Sequence, residues 1–280
     1  MPTRVQHMRL QIVVPGFGPP ELETKKRIFV ENLHLLHQTC PRIYLYGLEV
    51  HVYLYDDDPD NSIAEFLESC APKHMHVHKG KGIVGQFIAQ HAPLCRTDDA
   101  LLFLLDDVEL QPSFHLGHAL ALQRSLSLDI LSPTLTDDSP THYPYMRVGF
   151  HPARGVRLPF ACEFFCYLMT GHAFQRWAAH LDPENPWMWG MDLLLTVSFG
   201  LRVGMPTFMN AKHHFQGLCY QTRPEIDPFA AYYAYLKKYN MSRDELSKMP
   251  ALLGLYTSEL DYNHAGQGVG ADLVLKDAAQ

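Results

Sequence analysis

Residues 100–109 read ALLFLLDDVE, six apolar residues followed at once by two aspartates and a nearby glutamate. An unbroken apolar run of this length is typical of a β-strand that is buried on both faces of a sheet. Acids that follow such a strand lie at its carboxyl end, the edge at which open α/β sheets bind ligands. This stretch therefore predicts a central strand that delivers carboxylates to a ligand site.

Outward from this strand, the sequence alternates between strand-like and helix-like segments. Strands are predicted at 9–14, 49–55 and 75–78, and helices at 63–68 and 83–91. A further helix is indicated by Phe29, Leu33 and Leu36, which recur at the spacing of one helix face. This alternation predicts a mostly parallel, Rossmann-like α/β sheet flanked by helices.

The second half of the sequence is less regular. It predicts a strand at 129–132, a polar loop at 134–145, a helix capped by Thr170 and a last strand at 202–209. A basic segment with Arg147, Arg154 and Arg157 lies between the loop and the helix. The length of 280 residues fits one large domain with insertions.

The composition is that of a globular protein, with 47% apolar and 19% charged residues. A net charge of −7 without long basic runs argues against a nucleic-acid partner. The first apolar run is too short for a signal sequence or a membrane span. Because the six cysteines form no C-x-x-C pair, we expect free thiols and a cytoplasmic location.

Carboxylates and histidines offer a metal site. Asp106, Asp107 and Glu109 carry the hard oxygen ligands that Mg²⁺ or Mn²⁺ prefers. One ring of the His213-His214 pair, beyond the last strand, could complete the shell of a bound Mn²⁺. The alternatives are a solvated turn for the acids and a structural role for the histidines. The buried strand before the acids favours the metal site.

Asp192 is a candidate general base. It opens the apolar helical run at 193–199, so the helix N-terminus favours its ionised form, and an ionised carboxylate can remove a proton from a hydroxyl. The alternative is a simple helix-start acid. Trp187 and Trp189 precede it and are candidates either for a sugar-binding ring face or for the core.

Five segments, in order and spacing, resemble GT-A glycosyltransferases. They are the strand ending in Pro15-Gly16-Phe17, the helix start at Lys81-Gly82, the stretch 103–108, Trp189-Gly190-Met191-Asp192 and Lys212-His213-His214. The likeness extends over residues 9–216. It is nearest to glycosyltransferases of large algal viruses, the chloroviruses, which include a β-xylosyltransferase that uses UDP-xylose to build a capsid glycan on fucose.

The resemblance implies an inverting, metal-dependent transfer of a sugar, xylose from UDP-xylose, to a hydroxyl of a glycan acceptor, fucose. It implies one GT-A domain over 1–262, with a nucleotide-binding half at about 9–110, an acceptor and catalytic half at about 111–262, and a tail at 263–280. For a viral protein the location would be the host cytoplasm.

The resemblance also implies roles for single residues. In this family a D-x-D element binds metal and donor phosphates, and the aspartate after Trp-Gly is the catalytic base. These roles pass to Asp107 and Asp192, while the first D-x-D position is either Leu105 or Asp106. The donor nucleotide would be held by Pro15, Gly16, Phe17, Asp56 and Asp57, with Lys81 and Gln86 reaching ribose or phosphate. Glu163 would touch the acceptor or compete with Asp192 as the base.

Two other functional classes stay open at this point. A sugar nucleotidyltransferase normally grips a triphosphate with a basic glycine-rich loop, whereas residues 15–20, PGFGPP, contain no lysine or arginine. A non-catalytic carbohydrate-binding module does not need a buried strand that delivers carboxylates to a metal. Release of UDP from UDP-sugars separates a transferase from both.

Overall fold

The computed structural model describes residues 9–40, 47–56, 58–71, 73–150, 154–159, 161–215 and 227–241, and the backbone of 258–260. The strands within these residues are β1 (Leu10–Phe17), β2 (Glu49–Leu54), β3 (Met75–His78), β4 (Ala100–Leu104), β5 (Val108–Leu110), β6 (Ile130–Leu131), β7 (Thr134–Leu135), β8 (Val156–Leu158), β9 (Cys166–Thr170), β10 (Val203–Pro206), β11 (Asn210–His213) and β12 (Ser258–Leu260). The helices are α1 (Leu22–Thr39), α2 (Ser62–Cys70), α3 (Val84–His91), α4 (Leu116–Ser125), α5 (Gly171–Ala178), α6 (Met191–Leu194) and α7 (Pro228–Lys238).

Nine of the strands in the described residues form the main sheet, in the order β3-β2-β1-β4-β9-β6-β10-β8-β12. The pairs β1–β2, β1–β4, β2–β3 and β6–β10 are parallel. Because β8 and β9 run antiparallel to both of their neighbours, seven of the nine strands point the same way. The predicted mostly parallel α/β sheet is confirmed.

β4 occupies the centre of this sheet, between β1 and β9, and all five of its side chains are buried. Burial of one leucine or phenylalanine side chain contributes about 1.5–3 kcal/mol. The packing of Phe103 and its neighbours therefore fixes the position of β4. Asp106 and Asp107 follow it at the carboxyl edge of the sheet, as the sequence predicts.

β1 is longer than predicted. Proline and glycine usually interrupt strands, so the sequence places the end of β1 at residue 14, whereas the strand continues through Pro15 and Gly16 to Phe17. Its register with β2 shifts between Pro15 and Phe17. Gly16 makes the shift possible, because it has φ +125° and an added Cβ would lie 2.3 Å from the Tyr55 ring.

The last predicted strand, at 202–209, is shorter in the structure, where β10 ends at Pro206, and a separate strand, β11, follows it. β10 belongs to the main sheet, whereas β11 joins a three-stranded sheet ordered β5-β11-β7. Asn32 of α1 fixes β5, since its side chain donates to Val108 O and accepts from Leu110 N, both at 2.7 Å. The small sheet brings the end of β11 back to the acids that follow β4.

Several local expectations were also tested by the structure. Thr170 caps α5 as predicted, because its Oγ1 accepts from Ala173 N at 3.1 Å. The predicted helical run at 193–199 is wrong in length, since α6 ends at Leu194, and the predicted polar loop at 134–145 begins with β7. None of the helices in the described residues is long and apolar enough to cross a membrane.

Candidate functional site

Antiparallel pairing between β5 and β11 brings the two histidines onto the acidic turn. His213 lies opposite Val108 in the register, and His214 N donates to Asp107 O at 3.0 Å. His213 Nε2 is 3.3 Å from Asp107 Oδ2, and His214 Nε2 is 2.7 Å from Glu109 Oε2. The structure thus forms two acid–histidine pairs, which join residues more than 100 positions apart in the sequence.

The Asp107–His213 pair has two atoms that could bind a metal ion. Asp107 Oδ1 is buried and has no hydrogen-bond partner among the described residues. His213 Nδ1 lies 3.1 Å from the carbonyl oxygen of Pro140, which can only accept, so Nδ1 carries the proton and Nε2 faces Asp107. A backbone carbonyl in this role is the usual outer partner of a metal-bound histidine.

The charge of the pair is consistent with this geometry. Burial opposes protonation of His213, but the hydrogen bond to Asp107 and the charge of that carboxylate outweigh it and raise the pKa of His213. Asp107 therefore favours a positive charge on its neighbour. Among the described residues, no group of three His, Cys, Asp or Glu side chains is placed to hold a metal ion.

Asp106 and Glu109, the two acids on either side of this pair, are already paired with cations. Lys25 Nζ, in α1, lies 2.8 Å from Asp106 Oδ2 and donates to Gly18 O at 2.8 Å. Burial raises the pKa of Asp106, and the Lys25 ammonium limits the rise. Glu109 Oε2 faces Arg27 at 3.8 Å as well as His214. Asp106 thus pairs with a lysine and Glu109 with an arginine and a histidine, whereas Asp107 pairs with His213.

Asp192 lies at the start of α6, after Gly190, which has φ +87°. The Tyr143 hydroxyl donates to Asp192 Oδ2 at 2.7 Å. Burial raises the pKa of Asp192 to about 6, the Tyr143 hydrogen bond lowers it, and the charge of Glu163 raises it. The four-residue helix does not keep this pKa low, but a carboxyl with this pKa is still mostly ionised at neutral pH.

Glu163 interacts with both Asp192 and the Asp107–His213 pair. It precedes β9, which starts at the carboxyl edge of the parallel strands because it runs antiparallel to β4. Its Oε2 accepts from Thr141 Oγ1 at 2.8 Å and from His142 N at 3.1 Å. The charge of Glu163 raises the pKa of both Asp192 and His213. The acid–histidine pair and Asp192 therefore belong to one electrostatic site.

The predicted donor-binding turn is a strand end in the structure. Phe17 is buried, with its ring 5.6 Å from that of Phe29, so only its backbone can face a ligand. Pro15 and Gly16 lie beside it in β1. The half-buried Tyr55 ring covers Gly16 and has Lys25 Nζ 5.8 Å from its centre.

The other predicted donor contacts are more dispersed. Asp56 and Lys81 are exposed at the carboxyl ends of β2 and β3, and Asp57 lies outside the described residues, as does the predicted tail at 263–280. Gln86 Oε1 accepts from Ile83 N at 3.0 Å and so caps α3. Asp58 Oδ2 accepts from Ala64 N at 2.8 Å and caps α2. These two caps account for their side chains without a ligand.

The two tryptophans have different environments. Trp187 is 6% exposed, so its ring faces belong to the core, whereas Trp189 is half-buried and its ring centre is 5.2 Å from that of Phe229 in α7. Tyr232 of α7 lies 3.1 Å from the position of an added Cβ at Gly190. α7 therefore places aromatic rings beside the segment that carries Asp192.

Two residues of this site were not singled out from the sequence. Lys25 had a signal, because it lies on the buried face of α1 with Phe29, Asn32 and Leu36, where a lysine needs a partner. No sequence signal indicated Tyr143, because it lies in an irregular segment and contacts Asp192 only through the tertiary fold.

Comparisons with known proteins give a fold. No family model matches the sequence, and no curated protein matches it. A structure of GalNAc-T7 with UDP, GalNAc and Mn²⁺ superposes with a TM-score of 0.53 at 10% identity, covering 75% of this chain and 44% of that one. The chain has the GT-A fold. It spans less than half the length of that structure.

Weaker matches come from two bacterial proteins. One, described as a nucleotide-diphospho-sugar transferase of Desulfovibrio desulfuricans G20, has a TM-score of 0.42 at 12% identity over 83% of this chain and 95% of that one. The other, described as a glucose-1-phosphate thymidylyltransferase of Bacillus anthracis, has a TM-score of 0.47 at 10% identity over 71% and 86%. One fold can host many reactions, so the function must be argued from the site.

Proposed function

We propose that this protein is a metal-dependent glycosyltransferase that moves a sugar from a nucleoside-diphosphate donor to a carbohydrate hydroxyl. The observation that carries the proposal is that one electrostatic site contains the Asp107–His213 pair and Asp192. Asp107 Oδ1 is buried with no hydrogen-bond partner among the described residues, and the pKa of Asp192 is about 6. A cation site beside a group able to accept a proton is what sugar transfer from a diphosphate requires.

Asp107 Oδ1 and His213 Nε2 would hold the cation, Mn²⁺ or Mg²⁺. The bound cation supplies charge neutralisation for the departing diphosphate. Asp106 is left out of the ligand set because Lys25 compensates its charge. Glu109 is left out because its Oε2 already faces both His214 and Arg27, whereas Asp107 Oδ1 is buried with no hydrogen-bond partner among the described residues. The nucleoside would lie along the end of β1 and against Tyr55, where the carboxyl ends of the parallel strands form the ligand edge.

Asp192 would take the proton of the attacking acceptor hydroxyl. The acceptor oxygen forms a bond to the anomeric carbon, the bond from that carbon to the diphosphate oxygen breaks, and its electron pair leaves with the nucleoside diphosphate. Attack from the face opposite to the diphosphate inverts the anomeric configuration. Glu163 is the second candidate for the base, and the ring of Trp189 and those of α7 would contact the acceptor sugar.

UDP-xylose as the donor and fucose as the acceptor are the first pair to test, and they are supported by the sequence resemblance. The purified chain is incubated with UDP-sugars, Mn²⁺ and an acceptor, and UDP release is measured with and without EDTA. The proposed metal-dependent transferase releases UDP with Mn²⁺ and not with EDTA. A nucleotidyltransferase instead consumes sugar phosphate and nucleoside triphosphate, and a binding module releases nothing.

Asp107 and Glu109 form a matched pair for testing the metal. Asp107→Ala should abolish the rise in melting temperature that UDP gives in the presence of Mn²⁺, because ligand binding to the native state raises apparent stability. Glu109→Gln should retain most of that rise, since His214 and not the cation is its partner. The opposite ranking would move the metal site to Glu109 and His214.

A further inference from the structure

The segment 139–145, called here the bridging segment, contacts both groups that the proposed mechanism uses. At one end, Ser139 Oγ accepts from His213 N and Pro140 O accepts from His213 Nδ1, both at 3.1 Å. At the other end, the Tyr143 hydroxyl donates to Asp192 Oδ2 at 2.7 Å. A segment of seven residues thus spans the distance from the metal-site histidine to the base.

The middle of the bridging segment is held by Glu163. Thr141 Oγ1 and His142 N both donate to Glu163 Oε2, and Tyr143 N donates to Thr141 Oγ1 at 3.0 Å. These bonds fix the backbone immediately before the Tyr143 ring. The position of the Tyr143 hydroxyl is consequently set by the same carboxylate that raises the pKa of Asp192.

Tyr143 is suited to act as a permanent hydrogen-bond donor. Burial raises its pKa well above the usual range, and the neighbouring charge of Asp192 raises it further. The phenol therefore stays protonated throughout the working pH range and cannot itself serve as the base. Its bond to Oδ2 can persist while the other carboxylate oxygen gains and loses a proton.

We propose that Tyr143 is the positioning residue of Asp192: its hydroxyl fixes Oδ2 and leaves Oδ1 to take the proton of the acceptor hydroxyl. The assignment of Oδ1 to the reaction rests on the proposed function. The orientation of the carboxylate rests only on the hydrogen bond. The hydroxyl group carries this role, since it is the atom that contacts Asp192. The ring instead packs on the ring of Tyr145, with centroids 5.6 Å apart.

Tyr145 provides a matched control in the same segment. Its hydroxyl donates to the backbone oxygen of Ala161 at 2.6 Å. Tyr143→Phe and Tyr145→Phe each remove one hydroxyl and keep a ring, so any general loosening of the segment should appear in both. Glu163→Gln changes the same site in the opposite electrostatic sense, because it removes a negative charge near Asp192.

The experiment follows the Asp192 carboxyl carbon of the full chain by ¹³C NMR as a function of pH, with the resonance assigned by its loss in Asp192→Asn. Tyr143→Phe should raise the pKa of Asp192 from about 6, because it removes the hydrogen bond that lowers it, and Glu163→Gln should lower it. Tyr145→Phe should leave it unchanged. The acidic limb of the pH–rate profile should move with the NMR titration, and kcat should fall about tenfold or more in Tyr143→Phe while the donor KM stays constant.

An unchanged Asp192 titration in Tyr143→Phe would overturn the proposal, as would an equal shift in Tyr145→Phe. The NMR measurement needs no turnover, so it separates the two hypotheses. A shifted titration in a protein that transfers no sugar would refute the proposed function and leave the positioning role intact. Sugar transfer by the protein, together with an Asp192 titration that Tyr143→Phe leaves unchanged, would refute the positioning role and leave the proposed function intact.

Discussion

Asp192→Asn should make the folded protein more stable at neutral pH while it slows sugar transfer. The wild-type carboxyl has a pKa of about 6 in the folded state against an ordinary value of 3.8, because burial disfavours the charged form. The folded state therefore binds the proton more tightly than the unfolded state, and ionisation of Asp192 costs folding free energy. Asparagine accepts the same hydrogen bond from Tyr143 without carrying the charge.

The magnitude follows from the shift. About two pKa units at 1.36 kcal/mol each give a ceiling of about 3 kcal/mol, and solvent screening of a half-buried group reduces this to about 1–2 kcal/mol. The wild-type cost is fully present above pH 6 and disappears as the pH falls towards 4, below which both states are protonated. The stability advantage of Asp192→Asn should therefore be largest at pH 7–8 and should vanish near pH 4.

The assay is the free energy of unfolding from denaturant titrations at pH 8 and at pH 4.5, together with turnover at pH 8. Turnover should fall by about 10²-fold or more. Asp182→Asn is the control, because ion pairing with Lys238 and a hydrogen bond from Glu184 N outweigh burial and lower the pKa of Asp182. Its loss should destabilise the protein at neutral pH. A variant Asp192→Asn that is no more stable than wild type at pH 8 would refute the idea that this carboxylate is desolvated.

The remaining predictions concern the backbone and the buried ion pair beneath the site. Gly16→Ala should lower the unfolding free energy by about 2 kcal/mol or more, because the added Cβ meets the Tyr55 ring in a positive-φ conformation. Gly18→Ala, at φ +145° in open space, should cost only the backbone strain, and equal losses in the two variants would contradict the clash. Lys25→Met should cost about 3–5 kcal/mol by leaving the buried Asp106 uncompensated. The double variant with Asp106→Asn should recover most of it, and no recovery would mean that Lys25 acts through packing instead.

The sheet could be predicted from the sequence because its decisive signals are local. The apolar run before Asp106 indicates that β4 is buried and where it ends. Thr170 indicates the start of α5, because its side chain caps that helix. β9 and β11 were not predicted. An apolar strand of five residues does not reveal that it runs antiparallel between parallel neighbours. The separate strand β11, after the predicted range 202–209, depends on pairing with β5.

For the candidate site, too, local signals could be predicted from the sequence and long-range contacts could not. Asp107, His213 and Asp192 could be named from their positions after strands or before a helix, whereas the partner of each could not, because every partner is chosen by long-range packing. Lys25 compensates Asp106, Pro140 selects the tautomer of His213, and Tyr143 orients Asp192. These partners set the candidate metal ligand Asp107 apart from Asp106 and fix the orientation of the candidate base. Sequence patterns can therefore nominate reacting groups, but the tertiary contacts decide which acid is free to react.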